Sequence, residues 1–289
     1  MLHRGREAQD KCVVEVGGRA CDISDLHGQS LRVDTGTLEW CPENRQEQTL
    51  TAFDPERPTL VFVCAHLTDE RLFAHQVDAL RATNDCRVFA FRDLPTLGGM
   101  AEEVLAHAPP RFTFIGLSLG GYIAFEIIRR HLERIERLVL LDTRAVADNE
   151  AQRQGRLADI AKVHDGGIEA LIPELPARWM HPAHRARLGD LMASMACSIG
   201  ARGQFNQQQA MLARPDSHAD LQRVRVPTLI ACGREDTATP LAEHERMRDC
   251  VPGARLEVFE RCGHLSTIEQ PEAVTSLLTR WLAETPLGC

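Results

Sequence analysis

The chain has 289 residues, a formal net charge of −8 and 44% hydrophobic residues. That length suits one large α/β domain or two small ones, and the acidic balance argues against a nucleic-acid or anionic-membrane partner. No apolar run approaches the roughly 20 residues that span a bilayer, and Met1-Leu2-His3-Arg4-Gly5-Arg6-Glu7 holds no signal-peptide core, so a cytoplasmic location is expected.

Residues 1–57 read as a lead-in segment. Cys12-Val13-Val14-Glu15-Val16 and Ala20-Cys21-Asp22-Ile23 flank Gly17-Gly18, the pattern of an edge β-hairpin, and Leu31-Arg32-Val33-Asp34 is a further short alternating stretch. From Pro58 the pattern is regular. Thr59-Leu60-Val61-Phe62-Val63-Cys64 suits a strand buried on both faces of a parallel sheet. Residues 69–82 follow as a helix, with Leu72, Phe73, Gln76, Val77 and Leu80 on one face and Asp69 as its cap. Next come a strand over 87–91, a short helix over 100–107 stopped by Pro109-Pro110, a strand over 111–115, a helix over 119–132 and a strand over 137–142.

The alternation stops there. Residues 146–222 show helical periodicity and no strand. Candidate helices over 151–163, 168–171, 183–199 and 204–212 are punctuated by Gly166-Gly167, Pro173, Pro176, Pro182 and Pro215. Strand character resumes at 226–232, followed by a helix over 241–250, a strand over 255–259 and a closing helix over 271–284. The fold class is therefore α/β: a doubly wound, mostly parallel sheet from 58–145 and 223–289, with a helical cap, 146–222, inserted between two strands. Ten cysteines scattered from Cys12 to Cys289 form no C-x-x-C pair and read mostly as free thiols of a reducing compartment; Cys64 and Cys232 fall in predicted buried strands.

The most informative stretch is Gly116-Leu117-Ser118-Leu119-Gly120, a G-x-S-x-G sequence between an apolar strand and a helix. This is the nucleophile elbow, a strained turn that lifts a serine hydroxyl above a sheet, with glycines where strand and helix close in. Serine needs a base, and the base needs an orienting acid. In an open sheet such groups lie just past the carboxyl ends of strands. Asp236 follows the strand ending near Cys232, and His264 follows the strand ending near Phe259, in the chain order Ser, Asp, His that the elbow predicts.

On these segments, with Gly233-Arg234-Glu235-Asp236-Thr237-Ala238-Thr239-Pro240 and Gly263-His264-Leu265-Ser266-Thr267-Ile268-Glu269-Gln270-Pro271-Glu272, the chain resembles the α/β-hydrolase superfamily, in particular its capped esterase-like members, over residues 58–282. The resemblance implies Ser118 as nucleophile, His264 as base and then acid, and Asp236 as orienting carboxylate. It also implies an oxyanion hole from the backbone amides of Leu119 and His66. In the family's His-Gly-x or Pro-Gly-x loop this chain reads Cys64-Ala65-His66-Leu67, so Ala65 stands where glycine is usual. Alanine permits the turn while φ stays negative.

Asp142 also follows a strand and is the second candidate acid. His244 reads as a surface residue of a helix, and Cys262 as packing. His181-Pro182-Ala183-His184 lacks the partners of a zinc site. Trp179 and Met180, with Met192, Met195 and Phe205, form either the substrate-binding wall or cap core; Gln207-Gln208-Gln209 reads as a polar helix face. Together these imply a serine hydrolase cleaving a small carboxylic ester through an acyl-enzyme, with no cofactor and no metal. Its partner is a small-molecule ester or lactone. Lactone opening and carbon–carbon hydrolysis use the same triad, and a slow-turnover hydrolase-fold receptor is the non-enzyme alternative. Activity is expected to fall as His264 protonates near the reference value of roughly 6.5.

Overall fold

The computed structural model describes residues 57–287 and, ahead of them, the backbone of three short strands. The chain divides into two units, Met1–Leu50 and Thr51–Cys289. In the first, β1 (Ile23–Ser24), β2 (Ser30–Asp34) and β3 (Thr37–Glu39) form an antiparallel sheet in that order, with Ile23 opposite Leu31 and Val33 opposite Leu38. The hairpin expected around Gly17-Gly18 lies outside the described residues.

The second unit is built on six strands: β4 (Thr59–Val63), β5 (Asp85–Phe89), β6 (Phe112–Leu117), β7 (Ile135–Leu141), β8 (Thr228–Gly233) and β9 (Arg255–Phe259). All pair in parallel, in the order β5-β4-β6-β7-β8-β9. The apolar runs take the inner positions: β4, β6 and β8 are buried along their whole length. Edge strands β5 and β9 are half-buried and carry the charged pairs Asp85–Arg87 and Arg255–Glu257, which blunt the exposed edges.

Ten α-helices follow in chain order among the described residues. They are α1 (Ala74–Leu80), α2 (Leu97–His107), α3 (Leu119–His131), α4 (Glu150–Gly166), α5 (Leu175–Trp179), α6 (Pro182–Leu212), α7 (His218–Leu221), α8 (Leu241–Cys250), α9 (Ser266–Glu269) and α10 (Pro271–Glu284). The chain steps outward from β4 to β5, then returns across β4 and moves steadily to β9. Right-handed crossovers in opposite directions put α1 on one face and α2, α3 and α8 on the other. The packing of α1 against α10 and of α2 against α3 agrees. The reversal falls between β4 and β6, and such a switch point opens a crevice at the carboxyl ends of the strands.

Two expected helices have different beginnings. Asp69 does cap its segment, accepting from Arg71 N at 3.1 Å, but the first turn is a 3₁₀ turn, Glu70–Phe73, before α1. Helix α2 starts three residues earlier than its apolar pattern suggests, because Thr96 caps it through Gly99 N at 3.0 Å. The insertion between β7 and β8 is helical throughout. Gly200, at φ 70° and ψ 179°, breaks the direction of α6 in a region only glycine occupies freely, so the two predicted segments 183–199 and 204–212 form a single kinked element.

Candidate active site

Strand β6 ends at Leu117, and Ser118 sits on the turn into α3 with φ 52° and ψ −106°. Such a backbone costs a non-glycine residue about 1–3 kcal/mol. Its neighbours hold it there: Ser118 N donates to Leu141 O at 3.0 Å, and Ser118 O accepts from Gly121 N at 2.9 Å and Thr143 Oγ1 at 2.8 Å. A Cβ on Gly116 would stand 2.5 Å from the carbonyl carbon of Gly120, and one on Gly120 would be driven into Val63 O. The two glycines are therefore what lets strand, turn and helix close around the serine.

The loops after β8 and β9 bring the other two residues to it. His264 Nε2 lies 2.9 Å from Ser118 Oγ, and His264 Nδ1 lies 2.8 Å from Asp236 Oδ2. Asp236 also accepts from Ala238 N at 2.8 Å, Thr239 N at 2.9 Å and Thr239 Oγ1 at 2.5 Å. A carboxylate oxygen only accepts, so His264 donates from Nδ1, and its Nε2 lone pair faces the serine hydroxyl. All three side chains are buried; Ser118 is 6% and His264 5% exposed. Burial disfavours the Asp236 charge, but the His264 charge and the hydrogen bonds from His264 and Thr239 outweigh it and hold its pKa below the usual range. Burial alone would lower the His264 pKa; the charge and hydrogen bond of Asp236, with Asp142 and Tyr122, push it up to about 9 instead.

Asp142 has other work. At φ 44° past the end of β7, it accepts from Gly233 N at 3.1 Å, Ser266 N at 3.1 Å and Ser266 Oγ at 2.5 Å. It thus ties the end of β8 to the loop carrying His264, while Asp236 holds the imidazole. Burial, then the nearby Asp236 charge, push its pKa up to about 8.

The two amides expected to receive the oxyanion lie in the loop after β4 and at the first residue of α3. His66 N and Leu119 N make no hydrogen bond to protein among the described residues. The left-handed residue of the loop is Leu67, at φ 56°, and Ala65 keeps a negative φ, so a Cβ is accommodated where the family glycine would stand. Gln207 of α6 holds this loop. Its Oε1 accepts from His66 Nδ1 at 2.7 Å and from Leu67 N at 2.9 Å, and its Nε2 donates to Phe91 O at 2.6 Å. The amide orientation makes His66 Nδ1 the protonated nitrogen and leaves Nε2 to accept from Gln208 Nε2 at 3.3 Å. Burial and then the charge of Arg156 lower the His66 pKa to about 3, so the ring is neutral.

Two expectations are corrected here. The 207–209 run is not a solvated helix face: Gln207 and Gln208 are fully buried. His244 is not a surface residue. It is buried in α8, accepts from Thr143 N at 3.0 Å, and so backs the threonine that fixes the Ser118 carbonyl. Burial lowers its pKa to about 4, which keeps it an acceptor.

Trp179 lies over the crevice, its ring centroid 5.9 Å from that of His66 and 6.3 Å from that of His264. Its backbone oxygen accepts from His264 N at 2.6 Å. Met180, Met192 and Met195 are buried within the apolar core, and Phe205 is half-buried. His184 Nε2 donates to Arg261 O at 3.1 Å, a further tie between the helical insertion and the histidine loop. Thr143, Thr239 and Glu269 also support the site but carry no motif of their own; Glu269 lies inside the quoted histidine segment, five residues past His264. The surface groove lined by Pro110, Arg111, Ile135 and Val226 sits at the opposite, amino ends of β6, β7 and β8.

Residues 49–277 match the family model described as "Alpha/beta hydrolase family". The pimeloyl-[acyl-carrier protein] methyl ester esterase of Aromatoleum aromaticum is 28% identical over 206 residues, covering 64% of this chain and 79% of that protein. The 3-oxoadipate enol-lactonase 1 of Acinetobacter baylyi is 29% identical over 247 residues, covering 79% and 91%. Among solved structures, a hydrolase from Pseudomonas aeruginosa PA01 superposes with a TM-score of 0.72 at 25% identity, covering 92% of this chain and 99% of that one. The enol-lactonase from Burkholderia xenovorans LB400 gives 0.71 at 23% identity, covering 80% and 94%. The family model takes in the serine turn, both loops that meet it and the whole helical insertion between them, and the chain belongs to the alpha/beta hydrolase family.

Proposed function

We propose that the protein is a serine hydrolase that cleaves a small carboxylic ester through an acyl-enzyme. The observation that carries this reading is the unbroken relay from Ser118 Oγ to His264 Nε2 at 2.9 Å and from His264 Nδ1 to Asp236 Oδ2 at 2.8 Å. Ser118 attacks the acyl carbon while His264 takes its proton. The imidazolium is stabilised by Asp236 and gives the proton to the leaving alkoxide. The tetrahedral oxygen is received by the amides of Leu119 and His66, at the positive end of α3. Water, deprotonated by His264, then releases the acid. A lactone is an internal ester and opens by the same steps, and the likeness to an enol-lactonase makes it the second reading.

Ser118→Ala removes the nucleophile and little volume. It should lower turnover of p-nitrophenyl acetate by about a thousandfold or more and abolish labelling by a fluorophosphonate, with an unchanged melting curve. Turnover or labelling retained by the variant would sink the triad.

A further inference from the structure

The mechanism above leaves a buried cationic cluster unused. Arg144 follows β7, Arg156 stands on α4, and Arg214 lies just past α6. All three converge on Asp148. Its Oδ1 accepts from Arg144 Nη2 at 2.6 Å and Arg214 Nη2 at 2.9 Å, and its Oδ2 accepts from Arg156 Nε at 2.6 Å. Three guanidiniums on one carboxylate leave two positive charges unmatched within the cluster. The side chains of Arg144, Arg156 and Arg214 are 7%, 16% and 3% exposed. Arg144 Nε, Arg214 Nε and Arg214 Nη1 are buried and have no acceptor among the described residues. Buried guanidinium N–H groups without an acceptor are costly to maintain, and a carboxylate is the acceptor with which a guanidinium N–H makes its stronger, charge-assisted bond.

The cluster adjoins the reacting groups on two sides. The Arg214 guanidinium stands 4.1 Å over the ring of Tyr122, which lies one turn of α3 beyond Ser118. That ring offers a π face but no acceptor for the free N–H groups. On the other side Arg156 Nη1 donates to Gln208 Oε1 at 3.0 Å, and Gln208 Nε2 reaches His66 Nε2 at 3.3 Å. The three arginines also pull the Tyr122 hydroxyl pKa below its ordinary value against the effect of burial. The arginine cluster therefore borders both the serine turn and the loop of the second oxyanion amide.

Resting on the ester-hydrolase reading, we propose that Arg144, Arg156 and Arg214 bind a carboxylate carried by the substrate, so that the ester or lactone cleaved is an anionic acid derivative. Substrate charge would then be matched at the cap–core junction, with the carbonyl left at Ser118.

Two measurements test this separately from the catalytic reading. Glutarate titrated calorimetrically into the wild-type protein should bind saturably at low salt, with affinity reduced about tenfold or more in Arg214→Met and in Arg156→Gln. Arg156 is the more exposed of the two and carries the test where Arg214→Met does not fold. Absence of saturable binding, or binding untouched by either variant, overturns the proposal whatever the turnover. Inorganic phosphate binding more tightly than glutarate would also overturn the carboxylate assignment. In parallel, the kcat/KM ratio of mono-p-nitrophenyl glutarate to p-nitrophenyl acetate should exceed about ten in the wild type and collapse in the variants. A ratio near one with both esters turned over overturns the arginine site and leaves the hydrolase reading standing. Glutarate binding without turnover of either ester supports the arginine site and removes the ester-hydrolase reading.

Discussion

The Ser118 hydroxyl can hand its proton only to a neutral imidazole, so the charge state of His264 sets the pH range of the proposed reaction. Isolated histidine titrates near 6.5. Here burial works against the charged form but loses to Asp236, which faces Nδ1 at 2.8 Å, and the pKa rises to about 9. The sign follows directly. As pH falls through a raised pKa, the imidazolium forms earlier and the base is lost earlier. The acid limb of kcat/KM should therefore have its midpoint above about 7, higher than the reference value suggests. Asp236→Asn removes the charge and should pull that midpoint toward about 6.5 while lowering kcat roughly a thousandfold or more. A pH–rate profile of both proteins on one ester checks this, and a wild-type midpoint at or below 6.5 would contradict the Asp236–His264 coupling.

Helix α6 shows how an element outside the sheet fixes a loop beside the candidate site. Residues 204, 207, 208 and 211 share one face of its second half. There Gln207 orders the His66 loop, and Gln208 and Met211 reach Arg156. Gln207→Leu leaves His66 Nδ1–H and Leu67 N–H without an acceptor. It should destabilise the fold by about 2–4 kcal/mol and, on the proposed oxyanion role of the His66 amide, lower kcat roughly ten- to a hundredfold with a smaller change in KM. A thermal melt and steady-state kinetics separate the two effects; an equal rise in KM with unchanged kcat would show that Gln207 touches substrate binding instead. The same helix explains what could be read in advance. The inner strands were legible because β4, β6 and β8 are mostly apolar and buried along their whole length. The serine turn was legible because close packing admits only glycine at 116 and 120. Gln207 and His244 were not, because a buried polar side chain has the same letter as an exposed one. Only its partners distinguish it: here a loop some 140 positions away for Gln207 and a threonine amide for His244. The short α5 was hidden by Pro173 and Pro176, which read as breaks but stand in the first turns of successive helical segments.

Across the larger unit, the helical insertion and the His264 loop are joined through a buried carboxylate. Glu269 Oε2 accepts from His181 N, in the helical insertion, at 2.8 Å and from Gly263 N at 3.1 Å, while its Oε1 accepts from Leu265 N at 3.1 Å. Gly263 lets the two segments approach: a Cβ there would meet Trp179 O at 2.5 Å. The backbone around His264 is thus clamped from the cap side by Glu269 and Trp179 and from the sheet side by Asp142. The bonds that place the imidazole are therefore also the ones that hold the 179–181 segment beside it. Glu269→Gln keeps shape and volume but turns one acceptor into an NH₂ group facing a backbone N–H. It should cost about 1.5–3 kcal/mol of stability, release the 175–181 segment to faster amide exchange, and lower kcat. The serine should remain reactive toward a small fluorophosphonate. Hydrogen exchange read peptide by peptide decides the matter: loosening confined to 263–269 with the 175–181 segment unchanged would mean that the cap is held by other contacts and that Glu269 serves the loop alone.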